Sequence, residues 1–285
     1  TLADRKAFSL GPSGVIYGKD NEHNMNRSNA FCFAINQTAN FNNVVRYKAL
    51  NNYSSFAEQF AEELAKSGRP VEDYLYTNSI APYTIAPAWN TFLIDTVRVN
   101  NVLQVRAATE NILDSGQALQ QELTKTTGGG IYEAALSFAN NEKGKWLVGG
   151  TIGIPLVIYK SNTTFTEQDT SSNNTNGFRS FSYTDEFKSF GIGVNLKLGV
   201  IYRPKEYIRL GLAIHTPSFM ALEDTRTVNI SNHIEYASGK DTVYNETSRT
   251  FTNNQPGESK YYQSSAWKAI ISASYVFREV ENVKK

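Results

Sequence analysis

From Trp146 to Ile214 apolar residues alternate with polar or small ones, and the phase holds through two turns. Trp146, Val148, Ile152, Ile154, Leu156 and Ile158 stand against Gly149, Thr151, Gly153 and Pro155. A second run sets Phe190, Ile192, Val194, Leu196, Leu198 and Val200 against Gly191, Gly193, Asn195, Lys197 and Gly199. A third sets Ile208, Leu210, Leu212 and Ile214 against Arg209, Gly211, Ala213 and His215. Successive side chains of a strand point to opposite faces, so this period predicts strands with one apolar and one polar face. A soluble sandwich would place bulky charged residues on the polar face. Here that face is mostly glycine with a few charges, as expected of a barrel lumen. Each run has the length of about ten residues that a tilted strand needs to cross a bilayer.

The same reading along the chain predicts strands at roughly 7–18, 28–48, 129–142, 145–166, 180–203, 206–234 and 259–279. Short turns follow the first, third, fifth and seventh. Long Asn/Thr/Ser-rich excursions follow the second (49–128), the fourth (about 161–180) and the sixth (about 217–258). Outer-membrane barrels alternate short periplasmic turns with long extracellular loops in this way. The expected fold is all-β: one antiparallel transmembrane β-barrel domain over 1–285, with a small helical extracellular insertion at 49–128. Its expected location is the bacterial outer membrane. Trp146, Tyr159, Tyr202, Tyr207 and Trp267, at strand ends, suit interfacial girdles. An open edge facing lipid would leave backbone groups unsatisfied, so the chain is expected to be part of a longer barrel.

Composition narrows the function. There are 16 Tyr, 16 Phe and 3 Trp, and the net charge is +1. No window holds the ~18 consecutive apolar residues of a membrane helix, which leaves a barrel as the way to span. Without a basic stripe or tail there is no electrostatic case for a nucleic-acid partner. The one cysteine, Cys32, alternates with Phe31, Phe33 and Ile35 and reads as a small filler on the opposite face. Gly128-Gly129-Gly130 lacks the lysine of a phosphate loop. His23, His215 and His233 are far apart, with no carboxylate at ligand spacing. Asp185 and Glu186 are adjacent and face opposite sides of a strand, and no serine has a triad partner. The reading is of a protein that is not an enzyme and uses no cofactor and no metal.

The excursion 49–128 contains one clear helix. Ser55 and Glu58 make the pattern of a capping box, Phe56, Phe60 and Leu64 recur every four residues, and Gly68 with Pro70 ends the helix. Ala88-Trp89-Asn90-Thr91-Phe92-Leu93-Ile94 is a second apolar cluster, helical or packed as a loop. Two readings stay open: a private core under the loop, or a greasy groove at the mouth of the barrel where an apolar ligand first lands. The candidate landing residues are Phe56, Phe60, Leu64, Trp89, Phe92 and Leu93.

With the strands placed, the chain resembles the FadL/TodX outer-membrane transport family, in the form found in Bacteroidetes-type bacteria. The likeness rests on 33–42, on 89–95, and above all on Gly193-Val194-Asn195-Leu196-Lys197-Leu198-Gly199-Val200-Ile201-Tyr202-Arg203-Pro204. That run is followed by 208–219, which ends His215-Thr216-Pro217-Ser218-Phe219. The resemblance implies a 14-stranded barrel plugged by an N-terminal hatch. It also implies passive uptake of hydrophobic small molecules, long-chain fatty acids or aromatic hydrocarbons. Its partners would be the lipid bilayer, a hydrophobic small-molecule ligand and other outer-membrane proteins. The family's hatch motif and later strands are not in this sequence. Members of the wider family also act as non-transporting partners of secretion or surface-protein machines, which is the alternative function.

Asn195, Lys197, Arg209 and His215 share the inward parity of two adjacent strands. Pairing outward from the turn at 203–206 predicts 201 near 208 and Asn195 near His215, with Lys197 a few residues from Arg209. Two cations on one wall would attract an anionic headgroup; equally, they would pair with acidic residues of a hatch or of other strands. A secreted β-sandwich with the glycine-rich face inside is the rival fold.

Overall fold

The computed structural model describes residues 10–20, 27–75, 79–236 and 238–277. Positions 7–9 and 278–279 of the expected strands, and His23, lie outside the described residues.

In chain order come β1 (Ser13–Asp20), β2 (Ser28–Asn40) and β3 (Asn43–Asn51). An insertion then carries α1 (Glu58–Ser67), α2 (Glu72–Leu75), α3 (Ile85–Asn90), the hairpin β4 (Ile94–Val99) and β5 (Val102–Ala107), and α4 (Glu110–Asp114). The longest strands follow: β6 (Leu119–Glu142), β7 (Trp146–Asp169) and β8 (Ser180–Lys205). After them run β9 (Ile208–His215), β10 (Phe219–Glu235), β11 (Asp241–Thr247), β12 (Gly257–Ser264) and β13 (Lys268–Tyr275). Among the described residues no helix is long and apolar enough to cross a membrane.

One antiparallel sheet organises all the strands except the small β4–β5 hairpin. β3 continues the line of β2 along β6, β10 continues β9 along β8, and β11, β12 and β13 lie in line against β10 and β9. The sheet is therefore seven ribbons in chain order among the described residues, one for each strand that the sequence predicts. β1 and the β11–β13 ribbon form its edges there. The breaks inside ribbons have local causes. The register shifts by one residue at Thr38, just before β3 takes over from β2. At Thr216-Pro217-Ser218, Pro217 has no N–H to give the ladder. The extra residue there moves the outward parity from even (Leu210, Leu212, Ile214) to odd (Phe219).

The sheet is taller than the hydrophobic pattern indicates. β6 starts at Leu119, ten residues before the expected 129, and β7 runs on to Asp169. Half of the expected excursion at 161–180 and most of that at 217–258 are strand, with 170–179, 236–240 and 248–256 outside the strands; the upper parts of β8 and β10 fall within the strands expected at 180–203 and 206–234. Only the connection 52–118 is long. The upper part of β6 and the last residues of β7 escape the pattern because their outer face is Thr, Gln and Glu rather than apolar, while threonine keeps its strand preference.

Lower down, the expected alternation is present. Phe33, Leu136, Ile152 and Leu196 are successive cross-strand partners on one face, and all four are exposed. Phe190, Ile192, Val194 and Leu198 extend this outer belt, with Phe190 57% exposed. Cys32, Ser137, Thr151 and Lys197 are the matching row of the inner face. The belt's glycine-rich reverse allows close contacts: a Cβ at Gly191 would come within 2.6 Å of the Ala221 carbonyl oxygen and 2.5 Å of Leu222 Cδ2.

The insertion packs on the inner face of the upper strands. Phe60, Leu64, Ile85, Leu93 and Ile112 share a buried core with Leu119, Phe165, Phe181, Tyr183, Val228 and Ile230. Only half of the expected capping box forms. Ser55 N–H donates to Glu58 Oε1 at 3.2 Å, but Glu58 N–H reaches the Ser55 carbonyl at 3.3 Å and not its hydroxyl. The helix ends as expected, at Gly68 with φ 63°.

Gly191→Ala should destabilise the sheet by about 1–3 kcal/mol, since the backbone carbonyl of Ala221 cannot give way as a side chain would. Gly199→Ala, whose Cβ would find ordinary contacts at 3.8 Å, should be close to neutral. Thermal unfolding of the two variants measures the difference, and equal midpoints would refute this packing.

Candidate functional site

Two polar clusters on the inner face stand out, one beneath the insertion and one lower on the wall. Glu167, near the end of β7 and well above the apolar belt, is 0% exposed. Its carboxylate accepts from Ser55 Oγ, and from Phe56 N–H and Gln121 Nε2 at 2.7 Å each. These bonds pin the segment entering α1 to the sheet. Burial raises the Glu167 carboxyl above its ordinary range, against the lowering effect of its three donors. Glu58, beside it, is raised chiefly by burial too. Asn232, on β10, is likewise fully buried and donates to the Thr91 carbonyl at 2.9 Å, holding the turn after α3.

The aromatic residues expected at a landing site are gathered by this packing. Phe60, Leu64 and Leu93 are all buried, so none of the three offers surface to a ligand. Their side chains are enclosed in the core that the insertion shares with the upper strands. Phe56 is partly buried, stacked on Phe165 at 4.5 Å, and Trp89 packs at the edge of the same core. Of the six, Phe92 alone remains exposed, edge-on to Tyr244 at 4.9 Å, with φ 55°.

Lower on the wall, Lys197 makes an ion pair with Glu133, from two strands away. Asn195 Nδ2 donates to Glu133 Oε2 and to Ser218 Oγ, each at 3.0 Å. Gly153 makes the room, because a Cβ there would lie 2.5 Å from Asn195 Oδ1 and 3.0 Å from the Glu133 carboxylate. Of the two readings for Lys197, the structure shows pairing with an acidic residue of another strand. Glu133 is not among the sequence candidates; its inward parity on β6, shared with Ser137, is the signal that could have found it.

The hairpin register differs from the expected one. β8 and β9 close through the two-residue turn Glu206-Tyr207 with Lys205 opposite Ile208, and an irregularity lies between Tyr202 and Lys205. Ile201 therefore faces Gly211 rather than Ile208, and His215 faces Lys197 rather than Asn195. Arg209 lies six residues down the strand from His215, about 20 Å at ~3.3 Å per residue, so the two cations do not share a site.

Below the ion pair is a groove of about 630 Å³. Its floor is the small residues Ala139, Gly149, Gly199, Gly211 and Ala213, with Lys197 and His215 at its upper end. Leu147, Ile201 and Ile270 are among its walls. No group of His, Cys, Asp and Glu able to hold a metal is found among the described residues. No protein-family model, curated protein or solved structure matches the chain.

The raised Glu167 carboxyl has a definite consequence for pH. A folded value above the unfolded one means that its contribution to docking of the insertion is complete below about pH 4.5 and falls as pH rises through the folded value. Acrylamide quenching of Trp89, in a chain carrying Trp146→Phe and Trp267→Phe, should increase as pH rises above about 4.5. Glu167→Gln should remove that increase. Quenching that is flat with pH in the parent chain would show a carboxylate held ionised throughout.

Proposed function

We propose that the sheet forms one side of a transmembrane β-barrel in the bacterial outer membrane, and that the protein admits hydrophobic small molecules. The observation that carries the membrane reading is the outer belt. On β8 it runs from Phe190 to Val200, ten residue steps or about 33 Å along the strand, which a tilt of ~40° reduces to about 25 Å, the height of the apolar band of such barrels. Trp146 stacked on Tyr202 at 4.3 Å marks its lower rim. The exposed Lys160 and Lys188 mark the upper one. A sandwich has no use for an exposed belt of this height, since its apolar faces are internal.

Seven antiparallel ribbons leave both edges running in the same direction. Closing them into an antiparallel barrel, with no edge left in lipid, takes an odd number of further strands. The seven needed for a 14-stranded barrel, as the FadL/TodX resemblance implies, satisfy this. A second copy of the chain would leave parallel seams.

For the cargo, the groove below the Lys197–Glu133 pair is of ligand size and lined mainly by apolar and small residues. The ion pair already cancels the charge that a carboxylate would seek. The wall thus suits an uncharged hydrophobic compound, such as an aromatic hydrocarbon or an alcohol, better than a fatty acid anion. The second reading, a non-transporting barrel partner of a surface-protein complex, is favoured by the β4–β5 hairpin, which leaves Val97, Val102 and Leu103 exposed near its tip.

In a Cys32→Ser background, Leu196→Cys should react with a membrane-restricted probe while Lys197→Cys is spared; the reverse pattern would refute the orientation. Dodecanol should bind about tenfold more tightly than laurate. Glu133→Gln, which frees Lys197, should raise laurate affinity about tenfold and leave dodecanol unchanged. Tighter laurate binding by the parent chain would overturn the uncharged-ligand reading.

A further inference from the structure

The upper rim of the belt carries an arrangement that the transport reading does not use. Lys160 on β7 and Lys188 on β8 are direct cross-strand partners on the outer face, and both are exposed. Directly opposed side chains of an antiparallel pair have Cβ atoms about 4.5–5.5 Å apart, and like charges so placed repel. Among the described residues neither lysine side chain has an ion pair or hydrogen bond. Glu186, on the same face two residues further up β8, pairs with neither. The flanks of the pair are small or neutral: Gly128 lies beside Lys160, and Thr225 beside Lys188. The acidic neighbours Glu223 and Glu258 are already engaged by Lys260.

The row below the lysines is apolar, with Ile158 opposite Phe190 and then Leu156 opposite Ile192. The row above is polar, Asn162 opposite Glu186. The two ammonium groups thus stand where hydrocarbon gives way to headgroups, an inference that rests on the membrane reading of the belt. The geometry points to a binding site for the phosphate of a membrane lipid, its acyl chains along Ile158, Phe190 and Ile192 and its phosphate bridging Lys160 and Lys188. A phosphate between them converts a repulsive pair into two charge-assisted hydrogen bonds. A free phosphate would gain nothing from the apolar row beneath, so the occupant is a lipid.

Native mass spectrometry of the protein in a neutral detergent tests this, with phosphatidic acid, diacylglycerol of the same acyl chains, or inorganic phosphate as the probe. Phosphatidic acid should form a one-to-one adduct roughly tenfold more readily than diacylglycerol, and inorganic phosphate should not displace it at equal concentration. At about fivefold per lysine, Lys160→Ala with Lys188→Ala should weaken the adduct more than tenfold, whereas the paired Lys→Arg changes should keep it. Equal binding by the alanine variant, or displacement by inorganic phosphate, would overturn the site. Partition between water and a detergent phase is read on the same samples. A chain that stays in water overturns the membrane reading itself, and a chain that partitions but forms no adduct overturns the lysine site alone.

Discussion

β6 and β7 remain paired without a slip from Leu119–Asp169 to Glu142–Trp146, and β7 and β8 keep one register from Trp146–Tyr202 to Gln168–Ser180. The rest of the structure depends on these two registers. A slip of one residue would send every apolar side chain of the belt to the inner face and every inner polar group outward. The belt, the ion pair, the groove and the seat of the insertion all involve these three strands, so one set of backbone hydrogen bonds positions them together. Where the register does change, at Thr38, at Thr216–Ser218 and between Tyr202 and Lys205, it does so in the β2–β6, β8–β9 and β8–β10 pairings and leaves the β6–β7 and β7–β8 registers intact.

The inner face changes character with height because different partners meet it. At the top the insertion supplies an apolar cover, and the strands answer with Phe165, Phe181, Val228 and Ile230. Burying one such aromatic or aliphatic side chain contributes about 1.5–3 kcal/mol, so several together hold the insertion in place. Two buried polar side chains, Glu167 and Asn232, set where it sits by binding its backbone. Lower down no such cover is present among the described residues, and the wall satisfies its own charge through Glu133 and Lys197. A cation on that wall without its carboxylate would be costly if enclosed.

Alternation alone is enough for the lower half of the sheet. Phe190 through Leu198 have apolar residues at every second position, which gives strand type, face and approximate bounds without any knowledge of neighbours. The helix at 58–67 is equally legible, since its apolar spacing and the terminal Gly68 are local signals. Parity also places Lys197 and Asn195 on the inner face, because period two is a property of the chain and not of its partners. The upper part of β6 is hidden from this reading, because a strand that is polar outside and covered by an insertion inside shows no simple alternation.

Folding adds the partners. That Phe60 and Leu93 are buried against the upper strands is invisible in their spacing, because an amphipathic stripe looks the same whatever covers it. Lys197 finds Glu133 from two strands away, 64 residues apart in the chain. That contact follows from the β6–β7–β8 registers together, which no single segment encodes. The two-residue closure at Glu206-Tyr207 and the irregularity between Tyr202 and Lys205 together put His215 opposite Lys197, since a hairpin's partners shift with its turn and with any extra residue in one strand. The face of each strand residue is thus written in the chain, by its period. Which residues share a site follows from how the strands pair, because contacts across a sheet depend on registers set far apart in the chain.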